Sequence, residues 1–145
     1  VYNRYRRLNG DQDHVPGGED VRAVFGPLFL ASWLIEMMFR RENWFGAERL
    51  IVTSASSKTA MALAHVARAA LPDIGRNRAD VGAQYRFRRG DEAVRPGVGY
   101  GELAGFGPGS AVSVDFAGNG ATLAGLHVAV GDDLRYSCLV GVADW

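Results

Sequence analysis

Two short stretches hold the side chains best suited to chemistry. Ser54-Ala55-Ser56-Ser57-Lys58-Thr59 gathers hydroxyls and one ammonium group within six residues. At the start of a helix, hydroxyl and backbone N–H donors can hold phosphate oxygens, and Lys58 adds positive charge. Asp115-Phe116-Ala117-Gly118-Asn119 supplies a carboxylate, a flexible glycine and a carboxamide. If Asp115 ends a strand of an open α/β sheet, then Gly118 and Asn119 lie at the rim of the crevice where such folds bind ligands. Each stretch also has a plainer role. Ser56 or Ser57 can cap a helix, and Asp115 can form a turn.

Several familiar chemistries are excluded. A P-loop needs glycine just before its lysine and another five positions earlier. Ser57 and Val52 occupy those places, so ATP or GTP hydrolysis is not expected. The glycine fingerprint of a dinucleotide turn is absent as well, although serine, alanine and threonine are the next smallest residues. A Tyr-x-x-x-Lys pair, as a short-chain reductase would need, does not occur. Cys138 is the single cysteine, which rules out an internal disulfide and a multi-cysteine zinc site; within LRYSCLVGV it reads as a small buried hydrophobe. His65 has no partner at metal spacing and reads as a packing or surface residue, so no metal is expected. Ser137 and Cys138 have no base near them in sequence, and His127 falls within a helix. No catalytic residue is identified.

The elements that must position these stretches follow from hydrophobic pattern. Residues 1–24 are polar, with Gly, Pro, Asn and Asp in NGDQDHVPGGED, and read as an exposed loop or linker. GPLFLASWLIEMMFRREN follows as a helix. Pro27 suits its first turn and Arg40 and Arg41 its last. Apolar residues fall nearly all round it, so burial on more than one side is expected. Arg49–Ser54 (RLIVTS) reads as a central parallel strand, and SSKTAMALAHVARAA as an alanine-rich helix. Ser110–Asn119 is a strand ending in a turn, GATLAGLHVAV a helix, GDD a turn, and Leu134–Val142 a last strand. The order predicts an α/β fold with a doubly wound, mostly parallel, Rossmann-like sheet.

Length and charge narrow the partners. One domain of 145 residues with 48% hydrophobic content can bury a core. Sixteen basic and sixteen acidic residues cancel, so neither nucleic acid nor an anionic membrane is expected as a partner. The longest apolar run, PLFLASWLIEMMF, is 13 residues long and contains Glu36, too short and too charged to span a bilayer. No signal peptide opens the chain, and a cytoplasmic location is expected. The first residue is Val1, which reads as a piece of a longer protein or an incomplete gene product.

The stretches VYNRY, PLFLASWLIEMM, GAERLIVTSASSKTAMALA, VDFAGN and LHVAVGDDLRYSCLVGVADW together resemble the domain of unknown function 2855 family. That family looks like a branch of the medium-chain dehydrogenase/reductase superfamily, close to its zinc-free quinone oxidoreductases. The resemblance implies a Rossmann domain whose glycine turn is replaced by Ser54, Ala55, Ser56, Ser57, Lys58 and Thr59. It implies NADP(H) as cofactor, contacting that turn and the rim at Asp115, Gly118 and Asn119, with an unknown small-molecule substrate and room for a homodimer. A substrate domain normally precedes VYNRY in such proteins, so a non-catalytic fragment, or a binding or assembly module, is the alternative.

Residues 75–97 depart from the pattern. A second strand is expected there, followed by a serine facing the adenosine ribose. The chain instead runs GRNRADVGAQYRFRRGDEAVRPG, whose charges resist burial, and an irregular loop is expected. Arg76–Gly97 can be back-translated so that a one-base shift reads VTGLTSAHNTAFVEGTRRYDR, which restores the family pattern. A frameshift and a divergent inserted loop are the two explanations, and the coding DNA separates them.

Overall fold

Hydrophobic runs that alternate between strand and helix period assemble here into an α/β fold. The computed structural model describes residues 7, 9–54, 57–70, 80–81, 85–86 and 109–141. In chain order the elements are α1 (Glu19–Arg41), β1 (Arg49–Val52), α2 (Lys58–Ala70), β2 (Asp80–Val81), β3 (Tyr85–Arg86), β4 (Ala111–Asp115), α3 (Gly120–Val130) and β5 (Leu134–Leu139). β1, β4 and β5 form an open sheet in the order β1-β4-β5. Both pairings are parallel, with Ile51, Ser113 and Ser137 in one cross-strand row. β1 (RLIV) and β4 (AVSVD) are short, rich in Val and Ile and buried along their whole length, as central parallel strands are, while β5 (LRYSCL) is only partly buried.

Alternation divides the sheet into two unequal faces. Leu50, Val52, Val112 and Val114 pack with Phe39 of α1 and with Ala60, Leu63 and Ala67 of α2. Ile51 and Ala111 point the other way, onto Leu126 and Val130 of α3. Small residues on α2 let that helix sit close to the strands. Ser32 Oγ lies 2.9 Å from the Leu28 carbonyl and 2.8 Å from the Thr59 carbonyl. Its single proton is shared between them, which ties the middle of α1 to the first turn of α2.

α1 differs from expectation in three ways. It begins at Glu19, so Pro27 stands inside the helix and not in its first turn. Acidic Glu19 and Asp20 in the first turn, with Arg40 and Arg41 in the last, favour this longer helix through its dipole. Burial is confined to one side, at Ser32, Glu36 and Phe39, while Phe29, Leu30, Trp33, Leu34 and Met37 stay exposed. The apolar pattern predicted burial on more sides than the neighbouring elements provide. The 23-residue helix is also long and apolar enough, by length and composition, to cross a membrane. The 13-residue apolar run is too short to span a bilayer, but the 23-residue helix that contains it is not. Its one buried charge, Glu36, is 1% exposed and accepts from Arg40 Nε at 2.9 Å.

Between α1 and β1 the chain turns through Asn43, Trp44 and Phe45, all left-handed with φ of 49°, 52° and 53°. Such conformations cost roughly 1 kcal/mol or more per non-glycine residue. Aromatic packing offsets the cost. Phe39 lies 5.4 Å from Trp44, and Phe45 stacks on Tyr136 at 4.3 Å.

The segment expected to lack a second strand holds β2 and β3, which pair antiparallel as Asp80 with Arg86 and Val81 with Tyr85. β2 runs close to β1 but does not join its sheet. The rest of residues 75–97 lies outside the described residues.

Candidate functional site

Parallel strands bring their carboxyl ends to one edge of a sheet, so the segments after β1, β4 and β5 converge. Thr53 N donates to the Val114 carbonyl at 3.1 Å, which carries the pairing one residue past β1. Ser54 then turns left-handed, at φ 52°. This is the kind of position where a glycine would usually stand. Ser57 N closes the turn on the Ser54 carbonyl at 2.8 Å. Ala55 and Ser56 lie outside the described residues.

α2 starts immediately after this turn. Ser57 caps it, its Oγ accepting from Ala60 N at 3.2 Å and its carbonyl from Met61 N at 3.0 Å. Lys58 is exposed at the first helical position and Thr59 is half-buried. The positive end of the helix dipole and an exposed ammonium group therefore stand together at the carboxyl edge.

Asp115 is 0% exposed and faces inward. Its Oδ1 accepts from the Thr53 hydroxyl and, at 3.1 Å, from Ala117 N; its Oδ2 accepts from Gly118 N at 3.2 Å. Thr53 Oγ1 in turn accepts from Phe116 N at 3.0 Å and Ala117 N at 3.2 Å. The Asp115 backbone carbonyl takes Val140 N at 2.9 Å and Gly141 N at 2.8 Å. A Cβ at Gly141 would come within 2.4 Å of the Phe116 carbonyl oxygen, so only glycine lets the chain after β5 approach this closely. Asp115 thus has the turn-forming role that was one of its two sequence readings. Gly118 is left-handed at φ 65°, and Asn119 caps α3 by accepting from Thr122 N at 2.9 Å.

The fold brings Ser54, Ser57, Lys58 and Thr59 to the same edge as Asp115, Gly118 and Asn119. Two features escaped sequence reasoning. Thr53, the partner of Asp115, looked like the tail of an apolar run; its signal was that both strands end in a polar residue. His127, assigned no partner in sequence, lies with Nε2 3.1 Å from Ser137 Oγ, which is 3.1 Å from Ser113 Oγ. A helix residue and a strand residue meet there because α3 folds back over β5. Cys138 is half-buried, and burial pushes its thiol pKa up, away from nucleophilic use. His65 is exposed on α2. Among the described residues no group of three or more His, Cys, Asp or Glu side chains could hold a metal ion.

No curated protein and no solved structure matches the chain. The model of a protein family of unknown function, DUF2855, matches it from residue 1 to residue 145. With that match covering its whole length, the chain belongs to the DUF2855 family.

Proposed function

We propose that this chain is the NADP(H)-binding part of an oxidoreductase-like protein, with a Rossmann-like, doubly wound arrangement around the β1–β4 boundary. One observation carries the reading. β1 and β4 are parallel neighbours whose following helices, α2 and α3, cover opposite faces of the sheet. This is the topology of a switch point, where open α/β sheets bind ligands outside the strand carboxyl ends. The left-handed Ser54 supports it, because the first glycine of a dinucleotide turn serves that tight bend. In this reading the cofactor's phosphates rest on the N-terminus of α2. Ser54, Ser57 and Thr59 surround them, Lys58 neutralises charge, and Gly118 and Asn119 form the opposite rim. The bound cofactor would supply hydride chemistry; this chain's own residues bind and orient it.

A second reading has its own support. The carboxylate of Asp115, Ser57 Oγ and the Asn119 side-chain oxygen all accept hydrogen bonds within the fold. A non-catalytic module would use them in the same way. Titration separates the two readings. NADPH should raise the melting temperature and quench tryptophan fluorescence, with NADH much weaker. Lys58→Ala should weaken NADPH binding about tenfold, the loss of one charge-assisted contact. A folded chain that responds to neither nucleotide supports the non-catalytic module.

A further inference from the structure

We infer that Thr53 and Asp115 are positioning residues. They form a buried hub that sets the serine turn for an anion while touching no ligand themselves. The inference rests on the dinucleotide reading for the identity of that anion. All three carboxyl-end segments meet at this pair. The segment after β1 enters through the Thr53 hydroxyl, which donates to Asp115 Oδ1. The segment after β4 enters through Phe116, Ala117 and Gly118 N–H groups. The segment after β5 enters through Val140 and Gly141 N–H groups on the Asp115 carbonyl.

The chemistry explains why this residue pair is needed. A buried carboxylate is tolerated only when it is hydrogen-bonded. Three donors serve its two oxygens here, and two of the three are backbone N–H groups of the rim itself. The third is a hydroxyl that also accepts two rim N–H groups. Thr53 is therefore donor and acceptor at once, which neither valine nor alanine can imitate. It immediately precedes Ser54, whose left-handed backbone starts the turn that leads to Ser57 and Lys58. Releasing the hydroxyl frees that turn and the β4 rim together. Asp115, read from sequence as a rim contact, acts on the ligand through the backbone it holds.

The test compares wild type with Thr53→Val and Thr53→Ser. NADPH affinity is measured by fluorescence titration well below each melting temperature, and amide hydrogen exchange is followed in the ligand-free chain. Thr53→Val should speed exchange at Ser57, Ala117, Gly118 and Gly141 together and weaken NADPH about tenfold, the effect of losing a bond to a charged group. Thr53→Ser, which keeps the hydroxyl, should restore both. Faster exchange confined to residues 116–118, or a folded Thr53→Val chain that binds NADPH as wild type does, would overturn the hub. Wild type that fails to bind NADPH while its exchange remains coupled across the segments removes the dinucleotide reading and leaves the hub supported.

Discussion

The two faces of the sheet are held by different means. On one, α1 and α2 cover the strands with a continuous apolar cluster running from Phe39 and Trp44 through Leu63 to Val114. On the other, α3 contributes Leu126 as its one buried residue, and the sheet answers with Ile51 and Ala111. The middle of that second face is polar, where Ser113 and Ser137 sit side by side under His127. One face is thus fastened by volume and dispersion and the other by directional bonds. The candidate site lies at the carboxyl edge where the two meet. Its hub residue Asp115 shares the α3 side with Ser113, by alternation along β4.

The largest expected effect tests the thick face. Leu63 is 0% exposed in the main cluster, and Leu63→Ala should cost about 3 kcal/mol in urea denaturation. Leu126→Ala, with few apolar neighbours and a helix free to settle, should cost about 2 kcal/mol. Equal losses would mean that the two faces are fastened alike.

A smaller effect probes the polar row. Ser137→Ala leaves the buried Ser113 hydroxyl without its 3.1 Å partner and should cost about 1 kcal/mol. The double change Ser113→Ala with Ser137→Ala should cost less than the sum of the single changes, because both ends of one bond are then removed. Strict additivity would deny the coupling.

The smallest effect is a rate. Cys138 packs against the thick cluster, and burial raises its pKa. Its thiolate population at pH 8 is therefore below that of an unfolded thiol, and iodoacetamide should label the native chain severalfold more slowly than the urea-unfolded one. The linked stability is complete at neutral pH and is lost as pH rises from the ordinary thiol range through the raised native value, because the unfolded chain releases this proton first. Labelling at equal rates would place Cys138 outside the cluster.

The sequence by itself determined α1, β1, α2, β4, α3 and β5 and their order, but not the pairing of β2 with β3 or the start of α1 at Glu19. Ile51 and Val52 mark a strand, the alanine-rich run from Lys58 a helix, and Gly120–Val130 a helix bounded by Asn119 and Gly131, because period, caps and β-branching act within a few residues. It also determined which polar residues gather at the carboxyl edge, since parallel order forces that convergence. Tertiary structure decided what those residues do. Whether Asp115 faces a ligand or the interior depends on Thr53, 62 positions away. Whether His127 has a partner depends on how α3 folds over β5. How much of α1 is buried depends on which elements lie beside it. Local pattern is written in neighbouring residues, but a hydrogen bond between two strands exists only once the sheet has set their register.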